Sequence, residues 1–162
     1  MNVKRDFTAT TLVVHRGKVL LHQHRKLGLL LPLGGHIEPD ELPDDAARRE
    51  VQEESGFNVT LHEPSPVWPL TDVRQLARPV AVLLEDIEPD HQHVDLIYLG
   101  TLADDSEYPA GSGSEELVWL TAEEVEAIEM PDNVRELCRY ALTVLSGGER
   151  NDLLLRDGPR LA

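Results

Sequence analysis

Residues 35–57 read GHIEPDELPDDAARREVQEESGF, and the spacing of their acids suggests chemistry. On a helix turning roughly 100° per residue, Glu50, Glu53 and Glu54 fall within about a third of the circumference. Glu50 meets Glu53 at i+3 and Glu54 at i+4, and each like-charge pair costs an isolated helix about 0.2–0.5 kcal/mol. A bound divalent cation reverses that sign, because carboxylate oxygens are preferred ligands of Mg²⁺. Arg49, four residues before Glu53, offsets part of the repulsion. Spacing alone leaves two readings open: a solvated acidic helix, or a platform for a hard cation. A second group is His91, His93 and Asp95, which share one face of a strand. Two His and a carboxylate could bind Zn²⁺ or another transition metal. A polar strand face near a ligand, or simply an exposed one, is the expected reading.

These side chains need elements to hold them. Residues 7–14 are rich in Thr and Val and read as a strand. Arg16-Gly17 marks a turn, and residues 19–25 alternate as a hairpin partner. The short apolar run 29–33 contains Pro32 and ends at Gly34-Gly35. The acid-rich helix begins near Leu42-Pro43, with Asp44 and Asp45 at the positive end of its dipole and Gly56 just past its end. Residues 57–61, 79–84, 93–102 and 117–120 read as further strands. Residues 63–77 form a Pro-containing connection, and 103–114 a loop rich in Asp, Ser and Gly. Thr121, with Glu124 three residues on, predicts a capping box for a helix to about Ile128. A last helix covers about 132–145 and stops at Gly147-Gly148. Strands mixed with helices of unequal length predict an α/β or α+β sandwich. They do not alternate regularly enough for a Rossmann fold or a TIM barrel.

Composition narrows the partners. The chain has 162 residues, 30 Asp+Glu against 15 Lys+Arg, and a net charge of −15. That length predicts one domain, over 1–148, with a tail at 149–162. The tail's Leu153-Leu154-Leu155 packs on the domain or on the partner chain of a homodimer, or frays. The charge argues against nucleic acid and against anionic lipid. No apolar run reaches membrane-spanning length, and Met1–Arg5 lacks a signal-peptide stretch. The single cysteine, Cys138, cannot form an internal disulfide and fits a reducing cytoplasm. It is expected as a small buried residue of the last helix.

The region from Gly35 to Phe57 resembles the signature of the Nudix hydrolases, of MutT type: Gly-x5-Glu-x7-Arg-Glu-U-x-Glu-Glu-x-Gly-U, with U a bulky apolar residue. Gly35, Glu41, Arg49, Glu50, Val51, Glu53, Glu54, Gly56 and Phe57 fill all nine specified positions. The order of surrounding elements extends the resemblance over about 7–146. It implies an α/β/α sandwich on a central mixed sheet. It implies hydrolysis, with Mg²⁺ or Mn²⁺, of a diphosphate linked to another group, usually in a nucleoside diphosphate derivative. On this chain Glu50, Glu53 and Glu54 become the expected metal ligands and the Gly34 carbonyl a further one. Glu41 supports the metal or its waters, and Arg49 orients a glutamate by ion pairing. Gly35 is expected to allow a sharp loop. The general base comes from the helix, where Glu53 is the candidate, or from a later loop, where Glu115 and Glu116 are; the alternative for those two is ordinary surface charge.

Other residues are weighed against that chemistry. His22, His24, Arg25 and Lys26 lie just before the Gly34-Gly35 loop and would give an acidic protein local positive charge for phosphates. The alternative is a solvated strand end. His36, inside the motif loop, is a further substrate contact by proximity. Trp68 either stacks on a base or, as expected, pins its loop to the core, and Trp119 is expected in the core. The secondary marks of relatives acting on ADP-ribose, dinucleoside polyphosphates, NADH or coenzyme A do not appear. Nucleotides, nucleotide sugars and similar small diphosphates remain. A non-catalytic Nudix-like module that senses a nucleotide is the alternative, although such modules usually carry a degraded motif.

Overall fold

The computed structural model describes residues 3–24, 27–63, 68–103 and 116–146. Strand β1 (Lys4–His15) is the spine. Its alternation sends Leu12 and Val14 into one apolar cluster and Ala9 and Val13 into the other. Arg16 and Gly17, both at positive φ (46° and 77°), turn the chain into β2 (Lys18–His24), with Val13 opposite Leu20. The apolar run expected as one segment is two strands, β3 (Leu29–Leu31) and β4 (Leu33–His36). Pro32, which has no N–H to give to a ladder, lies between them. Gly34 and Gly35 therefore belong to β4 and pair with Thr10 and Ala9 of β1, rather than ending the run.

The sheet has eight strands among the described residues. Strand β7 (His91–Leu102) runs parallel to β1 from Lys4↔His91 to Val14↔Thr101, which makes the sheet mixed. The other edge of β7 takes β6 (Ala81–Glu88) and β5 (Val59–Leu61). Strand β8 (Glu116–Leu120) pairs with β2. Helix α1 (Pro43–Ser55) covers one face through Ala46, Ala47 and Val51. Helices α2 (Ala122–Ala127) and α3 (Asp132–Ser146) cover the other through Val125, Val134, Cys138, Ala141 and Leu142. The result is the expected α/β/α sandwich. Full burial of one such aliphatic side chain is worth about 1.5–3 kcal/mol, and Val51 has none of its surface exposed.

The helix ends follow local chemistry. Leu42 caps α1 without a side-chain bond, and Pro43 occupies its first turn. Gly56 leaves the helix at φ 80°, a left-handed conformation that other residues rarely adopt, and its N–H donates to the Gln52 carbonyl. Asp44 does more than favour the dipole. It is buried, and its carboxylate accepts from the Ala77 N–H and the Arg74 guanidinium, tying the connection to the start of α1. The Thr121–Glu124 capping box of α2 is complete. Arg135 of α3 donates to the Val125 and Ile128 carbonyls and so fastens α2 to α3.

Two aromatic expectations have different outcomes. Trp119 is partly buried and packs on Phe57, with ring centroids 6.2 Å apart. Trp68 is 58% exposed and does not pin its loop to the core; its backbone N–H donates to Gln75 and its carbonyl accepts from the Leu70 N–H. Cys138 is buried as expected, and desolvation pushes its thiol up to about 12. No helix among the described residues is long and apolar enough to cross a membrane.

Candidate active site

Helix α1 brings its glutamates against β4, and Arg49 braces them. Its guanidinium donates Nε to Glu41 Oε1 (2.8 Å) and Nη2 to Glu41 Oε2 (3.0 Å), a bidentate fork. Nη1 donates to Glu50 at 2.7 Å and Glu53 at 3.1 Å, and Nη2 also reaches the His36 carbonyl at 2.9 Å. One arginine thus links the helix, the motif loop and the end of β4. These hydrogen bonds hold the Glu41 carboxyl below its usual range and Arg49 above its own. Glu54 is placed separately: its Oε2 accepts the Gly34 N–H at 2.9 Å.

The glycines of β4 permit this approach. A Cβ built on Gly35 would meet the Glu50 carboxylate at 2.6–2.8 Å. One on Gly34 would meet the Ala9 carbonyl at 2.6 Å and Thr10 Cα at 2.7 Å. Gly35 is therefore required by the Glu50 carboxylate packed on it, and not by a sharp loop, which corrects the sequence expectation.

A cavity of about 350 Å³ opens beside these residues. Gly34, Gly35, His36 and Glu54 line it from the motif side, and His22 and His24 from β2. His22 is 3% exposed, so the solvated strand end is not what forms there. The His22 and His24 rings meet edge to face at 5.8 Å. Glu116 stands exposed at the start of β8, opposite Gln23, and is not among the cavity's lining residues. Arg25, Lys26 and Glu115 lie outside the described residues, as does the tail.

The floor of the cavity was harder to foresee. Thr8 and Thr10 of β1 donate to Asp95 of β7, at 2.9 and 2.8 Å. Burial raises Asp95 against the lowering by those two bonds. Glu85 of β6 lines the same space and is raised by burial and by the nearby Asp95 charge. The i, i+2 placement of Thr8 and Thr10 on one face of β1 was the available signal. Their partner could be found only from the parallel β1–β7 register. Asp95 thus faces the threonines. Among the described residues, the group of His, Cys, Asp and Glu whose ligand atoms all lie within 4.8 Å of one another is Asp6, His91 and His93, not His91, His93 and Asp95. The α1 glutamates are not such a group; they are held instead by Arg49 and by the Gly34 N–H.

A mixed sheet between helices, with an arginine-braced glutamate helix at a polar cavity, is the architecture expected of a hydrolase acting on phosphate anhydrides. The family model described as NUDIX domain matches residues 5–140. The chain belongs to that family and is a Nudix hydrolase. It is 34% identical to a NUDIX-family hydrolase from Clostridium perfringens, with a TM-score of 0.73, covering 88% of this chain and 99% of that one. Over 140 residues it is 29% identical to a probable DHNTP pyrophosphohydrolase from Lactococcus lactis subsp. cremoris (strain MG1363), covering 86% of this chain and 75% of that protein. The Ap4A hydrolase of C. elegans shares the fold, with a TM-score of 0.64 at 20% identity over 90% of this chain and 99% of that one.

Proposed function

We propose that this enzyme hydrolyses a diphosphate in a small nucleotide-type substrate, with Mg²⁺ or Mn²⁺ held by Glu50, Glu53 and Glu54. The observation that carries the reading is the Arg49 brace, which orients two of these glutamates beside the cavity that Glu54 itself lines. The donor set fits a hard divalent cation, because all three side chains offer carboxylate oxygens. When bound, such an ion offsets the clash between a diphosphate and the glutamates, polarises phosphoryl oxygens and acidifies a bound water. The Gly34 carbonyl completes the proposed ligand set, and Glu41 supports its waters through Arg49.

The remaining roles belong to the chain. Glu53 is the general base in this reading, because its side chain is 56% exposed while that of Glu50 is 14% exposed; Glu116 is the less favoured candidate. His22, His24 and His36, with Arg25 and Lys26, contact the phosphates. Asp95 and Glu85 supply acceptors suited to the N–H donors of a heterocyclic base. That preference favours a nucleotide-like group over a plain sugar, and the pyrophosphohydrolase name of the Lactococcus lactis relative supports the diphosphate chemistry. The enzyme is read as cytoplasmic, with one catalytic domain over 1–148.

The deciding experiment is a panel of nucleoside triphosphates, DHNTP, nucleotide sugars and sugar diphosphates that carry no base, with Mg²⁺ or Mn²⁺, its products identified by mass spectrometry. Two phosphate-bearing fragments from a base-containing member are expected. Turnover only of sugar diphosphates would reject the base preference. A homodimer would cover the apolar outer face formed by Phe7, Val82 and Leu84, each more than half exposed. Sedimentation should then give twice the 18.1 kDa chain mass.

A further inference from the structure

We propose that Asp6, His91 and His93, with His36 beside them, form a second metal site for a zinc-like divalent transition ion, separate from the glutamate platform of α1. The parallel register of β1 and β7 sets Asp6 directly opposite His93, and the strand period puts His91 on the same face. One ligand atom from each of the three already lies within 4.8 Å of the others. His91 Nε2 is 2.8 Å from Asp6 Oδ2. The ring of His93 stands 5.0 Å from that of His91 and 4.9 Å from that of His36, edge to face in both cases. His36 Nε2 lies 3.8 Å from the same Asp6 oxygen, which places a fourth donor at the cluster.

Two features point to an ion rather than to a plain hydrogen-bonded network. His93 Nε2 is buried and has no hydrogen-bond partner, and a buried polar atom without one is costly. The donors are chiefly imidazole nitrogens with one carboxylate. That set selects zinc, cobalt or nickel over magnesium, and Zn–N distances of about 2.0–2.1 Å would require only a modest contraction of the cluster. Lys4 is the competitor: its ammonium donates to Asp6 Oδ2 at 2.6 Å, from a side chain 68% exposed and free to swing away.

The site sits where it can matter. His36 and His93 line the cavity described above, and the His36 carbonyl accepts from Arg49. An ion here would fix two cavity walls and the start of the loop that Arg49 holds, without using any α1 glutamate.

The test uses the full untagged chain after chelator treatment, titrated with Co²⁺ and followed by visible absorption. Zn²⁺ affinity is then obtained by competition. One Co²⁺ per chain is expected, with the intense visible bands of a tetrahedral site containing nitrogen ligands. His91→Ala and His93→Ala should each weaken Zn²⁺ by more than the roughly 10–100-fold that loss of an outer partner costs. Lys4→Ala, a change to an exposed side chain, should tighten it. The double variant Glu53→Gln/Glu54→Gln should bind as wild type does. Absence of the bands, affinity unchanged in both histidine variants, or loss of binding in the glutamine double variant would overturn the proposal.

Discussion

Arg49 touches Glu41, Glu50, Glu53 and the His36 carbonyl, so it tests the site through one side chain. Arg49→Lys keeps the charge but loses the planar fork, and one ammonium cannot hold all these acceptors. The variant should stay folded by circular dichroism while kcat/KM falls by roughly tenfold or more, about 1.4 kcal/mol of transition-state stabilisation. Wild-type kinetics would remove Arg49 from the positioning role. At this scale the sequence was most informative where spacing is local. Glu50, Glu53, Glu54 and Arg49 lie within six consecutive residues of one helix, so its period alone groups them. The grouping of His91 and His93 with Asp6, 85 and 87 positions away, needs the β1–β7 register, which no local pattern encodes. Trp68 marks another limit, because an aromatic in a connection carries no signal of which side of it meets solvent.

At the scale of elements, neighbouring glycines of β4 should fail in different ways. The Cβ of Gly34→Ala would strike β1 backbone, which cannot move without parting the two strands. A loss of stability of about 1–3 kcal/mol is expected, as for overpacking elsewhere, seen as a lowered urea midpoint. In Gly35→Ala the clash is with the far end of the Glu50 side chain, which can swing away. That variant should keep most of its stability and lose activity instead. Equal losses of stability would contradict the packing described here. Helix α2 gives a pH test. Glu124 accepts the Thr121 N–H at 2.8 Å, and this bond holds its carboxyl below the usual range. A lowered folded value means the contribution is complete above the unfolded value, about 4.3, and is lost as pH falls through the folded one. Glu124→Gln can still accept that bond but does not titrate. Its melting temperature should therefore lie below wild type at pH 7, and the gap should close towards pH 3. A constant gap would contradict the assignment. The bounds of α1 and the capping box were legible because Pro43, Gly56, Thr121 and Glu124 act within a turn of themselves. The split at Pro32 and the extension of β6 to Glu88 were not, because pairing with β1 and β7 decides them.

For the molecule as a whole, the net charge of −15 argues against polyanionic partners, yet the chain belongs to a family of phosphate-anhydride hydrolases. The two agree if a cation accompanies the substrate to α1, and that is the central claim. Most of the 30 acids are then solvating surface, and a few form the platform. The sandwich itself was legible from the mixture of strands and helices. The cavity was not, because its walls come from β1, β2, β3, β4, β6, β7, α1 and α3 together. The most direct measurement is Mg²⁺-dependent turnover of Glu53→Gln on the substrate identified in the panel, with the fold checked by circular dichroism. The amide keeps the side chain's shape and loses the charge that draws the ion. The account predicts a folded protein with turnover reduced by about a hundredfold or more, the scale of a lost acid–base group. Wild-type turnover at the same Mg²⁺ concentration would contradict it.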